Sequence, residues 1–164
     1  MLEGIKKLHF VGIGGVGMSA IAEVMLDKGY EISGSDLSES AVVKHLKAKG
    51  ATIYKGHDAL NVEGKEALVL SSAIHQDNPE LVAAKANGLK LFHRSDILAY
   101  LLNDAKGIAV AGAHGKTTTS SMISVVLEHA KVDPTILIGG FVDYLKGNAK
   151  LGKSDYLVAE ADES

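Results

Sequence analysis

The sequence predicts an α/β fold, an open parallel sheet covered by helices and followed by the start of a second unit of the same kind. Short apolar runs alternate with helix-patterned stretches along all 164 residues. Two of the strand-to-helix passages run through glycine turns, at residues 12–17 and 112–115. The pattern restarts near residues 103–106, after about 100 residues, which is the size of one domain.

The first strand spans residues 7–11, and a helix starts inside the glycine run and continues to residue 28. Ile21, Val24 and Met25 recur there at helical spacing, and Gly29 provides the stop. Strand 31–35 precedes a helix over 38–49, with Ser38 at its N-terminus and Gly50 after it. Strand 52–54 leads into the polar loop Gly56-His57-Asp58. Residues 67–71 read as a buried strand, 79–87 as a helix ended by Gly88, and 89–92 as a short strand. Residues 95–103 form a helix with Ser95 as N-cap. This set defines a first domain over residues 1–104. Residues 105–164 hold strand 107–111, helix 116–130 and strands 135–138 and 156–159. Ala161-Asp162-Glu163-Ser164 directly follow a buried strand, where an open α/β sheet places its ligands, so the second domain reads as truncated.

Apolar residues make up 46% and charged residues 23%, enough to bury a core. A net charge of −3 offers no basic face to nucleic acid. No apolar stretch reaches the ~18 residues that span a bilayer, so no membrane insertion is expected. The start of the chain does not read as a secretory signal. The absence of cysteine excludes disulfides and thiolate metal sites. Sixteen of the 17 basic residues are lysine, and Arg94 is the only arginine.

Gly12-Ile13-Gly14-Gly15-Val16-Gly17 matches G-x-G-x-x-G between a strand and a helix, which makes the first domain Rossmann-like. The first glycine allows the tight turn, the second lets a phosphate approach, and the third lets the helix pack on the strand. The helix N-terminus then faces a diphosphate, and Asp36, about 20 residues beyond Gly17, is placed to accept a ribose hydroxyl. NAD and other diphosphate nucleosides fit this loop equally.

Gly112-Ala113-His114-Gly115-Lys116-Thr117-Thr118-Thr119 follows the strand at 107–111 and reads as the start of a P-loop ATPase domain. Lys116 would reach phosphates and the Thr117 hydroxyl would hold Mg²⁺. The loop is a shorter form of the standard P-loop, with Val110 where that pattern has glycine. A carboxylate after a buried strand commonly supplies a second metal ligand. Glu160 is favoured over Asp162 and Glu163 because it lies nearest the strand end.

Together the two loops resemble the Mur ligase family. The blocks His9–Ser19, Gly34-Ser35-Asp36, Ser71-Ser72-Ala73-Ile74, Gly112–Thr119 and Ala159–Ser164 are similar to its alanine-adding branch. The resemblance implies a UDP-binding domain, a central ATPase domain and a C-terminal domain, of which this chain holds the first and the opening of the second. It implies UDP-N-acetylmuramate and L-alanine as substrates, ATP and Mg²⁺ as cofactors, and the bacterial cytoplasm as location. The lactyl carboxylate would take the γ-phosphoryl group of ATP, and the amine of L-alanine would attack the acyl phosphate. Lys116 and Glu160 would be catalytic, with Thr117 and Glu160 on the metal. Gly112, Ala113, His114, Gly115, Lys116, Thr117 and Thr118 would bind ATP. Gly12, Gly14, Gly15, Val16, Gly17, Asp36, Ser71, Ser72, Ala73 and His75 would bind the UDP-sugar. Gly139, Gly140 and Asn148 resemble the segment facing the sugar.

Arg94 follows a strand end and suits either a bidentate anion contact or a surface ion pair. His45, His57 and His129 have no metal-ligand spacing. Three other functions remain: the sister ligase that recycles murein tripeptide, an NAD-dependent oxidoreductase supported by the first loop alone, and a pure binding module. The expectation for this chain by itself is UDP-sugar binding without product formation.

Overall fold

Five apolar runs of the first hundred residues pair side by side in the computed structural model, which describes residues 1–145 and 147–161 (for Phe141 the backbone only). They are β1 (Lys7–Val11), β2 (Glu31–Asp36), β3 (Thr52–Lys55), β4 (Ala67–Leu70) and β5 (Lys90–His93). The sheet order is β3-β2-β1-β4-β5 and each neighbouring pair is parallel. Helices α1 (Val16–Asp27), α2 (Ala41–Ala48), α3 (Pro79–Ala86) and α4 (Arg94–Asn103) occur between or after the strands. Leu8, Phe10 and Val11 of β1 and Leu68 of β4 are fully buried, as strands covered on both faces require. The chain leaves β1 toward β2 and β3, then returns to β4 and β5. The strand order therefore reverses beside β1, and the turns after β1 and β4 emerge together at that switch point.

The remaining strands form a second sheet, in the order β6-β9-β7-β8. They are β6 (Lys106–Ala111), β7 (Thr135–Val142), β8 (Gly147–Lys150) and β9 (Tyr156–Ala161), and α5 (Lys116–His129) follows β6. β9 runs parallel to both β6 and β7, and β8 pairs antiparallel to β7. Ile136, Ile138, Leu157, Val158 and Ala159 are buried in this sheet.

The chain divides into two compact units, Met1–Asp96 and Ile97–Ser164. The division falls inside α4, ahead of the sequence expectation at 104/105, and the end of α4 stands close to the start of β6. A Cβ placed on Gly107 would stand 2.8 Å from Leu102 Cδ2 and 2.9 Å from the Leu102 carbonyl oxygen. Among the described residues no helix is long and apolar enough to cross a membrane.

Two expected caps move. Ser40, not Ser38, caps α2 by accepting from the Val43 N–H at 3.3 Å. Ser38 instead donates its N–H and hydroxyl to Asp36 Oδ1. Ser95 lies inside α4, where its hydroxyl pairs with His93 Nδ1 at 2.7 Å; Asp96 reaches back to the His93 N–H. β7 runs on through Gly139-Gly140 to Val142, and β9 runs through Glu160 to Ala161. β8 and the 3-10 turns at Ala59–Val62 and Asp143–Leu145 have no counterpart in the sequence reading.

Candidate functional site

The first glycine turn is folded by backbone bonds from its neighbours. Gly12, at φ +71°, supplies the left-handed step the turn needs. The N–H groups of Gly12 and Ile13 both donate to the Ser35 carbonyl at 2.9 and 3.0 Å, locking the turn to the carboxyl end of β2. The Gly14 N–H donates to Asp36 Oδ2 at 2.8 Å. Both Asp36 oxygens are therefore engaged by the protein, Oδ2 by the loop and Oδ1 by Ser38. Gly14 has no room for a side chain, because a Cβ there would stand 2.8 Å from that same oxygen and 2.9 Å from Val43 Cγ2.

Gly15 is the N-cap of α1 and brings no side-chain oxygen to the helix start. The contrast with α2 and α3 is chemical, since Ser40 and Asn78 cap those two with side-chain acceptors. The first backbone N–H groups of a helix carry partial positive charge and want an acceptor, so a start capped by glycine suits an anion.

Residues 71–75 leave β4 beside this turn. Ile74 packs on the buried cluster of Val11, Val62, Leu68, Leu81 and Ala84. Its Cδ1 lies 3.5 Å from where a Cβ on Gly12 would be. Ser71 is half-buried, while Ser72, Ala73 and His75 are exposed. The structure thus brings the 71–75 segment to Gly12, and Ile74 is the member that makes the contact.

The third glycine corrects an expectation. A Cβ on Gly17 would meet no strand atom among its nearest neighbours; it would stand 2.7 Å from Arg94 Nη1. The space at this position belongs to a guanidinium.

In the second unit, Gly112 and Gly115 both take positive φ, and Gly115 is an αL N-cap without a side-chain acceptor. The Lys116 ammonium donates to the Gly112 carbonyl at 2.7 Å and so lies across its own loop. Ala113, His114, Thr117 and Thr118 are exposed around it. Glu160 stands opposite Val110 in the β6–β9 register and is buried. Its Oε1 accepts from the Ser120 hydroxyl of α5 at 3.0 Å, and its Oε2 lies against Gly139. Thr117 Cγ2 lies 3.2 Å from a Cβ placed on Gly140. Thr117 and Glu160 therefore flank one diglycine of β7, and their hydroxyl and carboxylate are the hard oxygen donors that Mg²⁺ takes. Asn148 is buried in β8. Asp162 and Glu163 lie outside the described residues.

One polar cluster escaped the sequence reading. Glu80, in the first turn of α3, is fully buried, and its carboxylate accepts from four side chains. They are His9 Nε2 at 3.3 Å, Asn61 Nδ2 at 2.6 Å, Ser35 Oγ at 2.6 Å and His57 Nδ1 at 2.8 Å. Burial pushes the carboxyl up, but these four hydrogen bonds together outweigh it and hold the group at about 2.

Two strand–glycine–helix turns at the carboxyl ends of parallel strands, each with a glycine-capped helix start, define an α/β protein of the phosphate-loop class. The catalytic-domain model of the Mur ligase family matches residues 7–120. The chain belongs to the Mur ligase family. It is 57% identical over 162 residues to the UDP-N-acetylmuramate–L-alanine ligase of Hydrogenobaculum sp., covering 99% of this chain and 36% of that relative. The crystal structure of UDP-N-acetylmuramate-alanine ligase from Thermotoga maritima superposes with a TM-score of 0.86 at 35% identity, over 95% of this chain and 37% of that one. The UDP-N-acetylmuramate:L-alanyl-gamma-D-glutamyl-meso-diaminopimelate ligase from Neisseria meningitides gives 0.90 at 31% identity, over 98% and 53%. The chain spans about a third of the length of the curated relatives it matches.

Proposed function

We propose that this chain provides the UDP-sugar loop and the ATP loop of a bacterial, cytoplasmic ligase that joins L-alanine to UDP-N-acetylmuramate. The observation that carries this reading is the pair of glycine-capped helix starts, at Gly15 and Gly115, beside side-chain-capped α2 and α3. The high identity to alanine-adding ligases supports the choice of reaction.

In this reading the loop from Gly12 to Gly17 holds the diphosphate on the α1 N-terminus, with Asp36 beside the ribose and residues 71–75 beside the uridine. Residues 112–118 hold ATP, where Lys116 exchanges the Gly112 carbonyl for phosphate oxygens and neutralises charge on the transferring group. Thr117 and Glu160 would hold Mg²⁺, which supplies further charge neutralisation when bound. The lactyl carboxylate oxygen attacks the γ-phosphorus and ADP departs. The alanine amine then attacks the acyl carbon, loses a proton, and inorganic phosphate leaves. The chain alone binds UDP-sugar without forming product, since its relatives are about three times as long.

The tripeptide-recycling ligase is the second reading, favoured by the fold likeness to the Neisseria enzyme. Identity of 57% to an alanine-adding ligase, against 31% to that enzyme, supports the first.

Calorimetric titration with UDP-N-acetylmuramate, UDP and NAD tests the reading, alongside Gly15→Asp. Aspartate is a good N-cap, so this variant folds, but its carboxylate occupies the α1 N–H groups and repels a diphosphate. The UDP ligands should bind, NAD should not, and the variant should bind none of them. Preference for NAD would return the chain to the oxidoreductases. L-alanine-dependent phosphate release by this chain would refute its inactivity alone.

A further inference from the structure

We propose that Arg94 is a ligand-binding residue of the UDP-sugar site, its guanidinium pairing with the ligand's anionic oxygens at the N-terminus of α1. This inference rests on the UDP-sugar reading and adds to it a residue outside the glycine fingerprint.

Arg94 follows β5, two strands away from β1 in the sheet. All five strands are parallel, so the carboxyl end of β5, where Arg94 begins α4, lies on the same edge as the glycine turn after β1. From there the side chain reaches back past β4, and its Nη1 arrives 2.7 Å from the position a Cβ would take on Gly17. The Arg94 Cζ and Cδ stand 3.5 and 3.9 Å from the same point, so the outer half of the side chain lies along the start of α1. Gly17 is the second residue of that helix.

Electrostatics then constrain the occupant. The start of α1 is the positive end of a helix dipole, and Gly15 offers it no side-chain acceptor. A guanidinium beside it adds charge of the same sign. That arrangement favours a group with two or more anionic oxygens, which can accept from backbone N–H groups and from the planar guanidinium fork together. A diphosphate or a sugar carboxylate meets this description. The chain's other basic residues are all lysine, and a lysine would not offer that fork. Arg94 is half-buried, accessible enough to meet a ligand.

The test is calorimetric titration of UDP into the wild-type chain, Arg94→Ala and Arg94→Lys, each at low and high salt, with melting temperatures recorded in parallel. Loss of a charged hydrogen-bond partner should weaken UDP binding about tenfold to a hundredfold in Arg94→Ala and flatten its salt dependence. Arg94→Lys should restore the salt dependence but only part of the affinity. Unchanged UDP affinity in Arg94→Ala overturns the proposal. So does weakened affinity with the wild-type salt dependence, which marks a structural role. If Arg94→Ala does not fold, Arg94→Gln replaces it, keeping length and hydrogen bonding while removing charge, and is judged by the same two outcomes. A wild-type chain that binds no UDP would instead remove the UDP-sugar reading itself, and this inference with it.

Discussion

Glu80 shows what single residues contribute beneath the site. Its two oxygens gather donors from β1, β2, the turn after β3 and the 3-10 turn before β4, and Ser35, one of those donors, also supplies the carbonyl that locks Gly12 and Ile13. The folded carboxyl titrates at about 2 against 4.5 for the ordinary group. A depressed acid stabilises the fold fully above its unfolded value, and that stability is lost as pH falls through the folded one. Stability should therefore drop between about pH 4.5 and 2, by roughly 3 kcal/mol from this group. Urea unfolding across that window should show the drop in the wild type and a shallower one in Glu80→Gln; parallel curves would mean Glu80 is not ionised in the fold. Glu80→Ala, which strands the buried donors of His9, Ser35 and Asn61, should cost about 3–5 kcal/mol at neutral pH. None of this is legible in the sequence. Asn78-Pro79-Glu80 reads as an ordinary capped helix start, and His9 lies 71 residues from the carboxylate it meets. Only the strand register brings them together.

At the scale of elements, legibility follows local chemistry. β1, α1 and α5 were readable because a short apolar run and the glycine turns that open the two helices are local signals, and their starts agree with the structure. β8 was not, because Gly147-Asn148-Ala149-Lys150 has no strand preference of its own and is made by pairing with β7. Lys150 helps to hold it, donating to Asp133 Oδ1 at 2.7 Å and to Glu128. The strand expected over 135–138 continues through the diglycine because ladder bonds need no side chain, and the missing Cβ atoms leave room for Glu160 and Thr117. Gly34 on β2 tests how tightly strand and loop are fitted. A Cβ there would stand 2.5 Å from Ile13 Cδ1 and 2.9 Å from the Phe10 carbonyl oxygen. Gly34→Ala should destabilise by about 1–3 kcal/mol and weaken UDP binding by displacing Ile13 in the loop. Wild-type stability and wild-type affinity in that variant would show that the loop tolerates the displacement.

The whole molecule places two glycine turns in two separate units, one in Met1–Asp96 and the other in Ile97–Ser164. Each turn starts a helix whose first N–H groups have no acceptor within the helix, and such groups exchange quickly with solvent until something covers them. Two ligands should therefore leave two footprints in amide hydrogen exchange. UDP should protect residues 12–18, together with 34–36 at the end of β2 where Ser35 and Asp36 hold the loop. ATP with Mg²⁺ should protect residues 112–120. The variants separate the assignments, because Gly15→Asp blocks one helix start and Lys116→Ala removes the cation that lies across the other loop. Gly15→Asp should erase the UDP footprint and leave that of ATP; Lys116→Ala should do the reverse. If UDP protected the second loop instead, or if one variant erased both footprints, the division of labour between the two turns would be wrong, and with it the reading of this chain as two nucleotide sites in series.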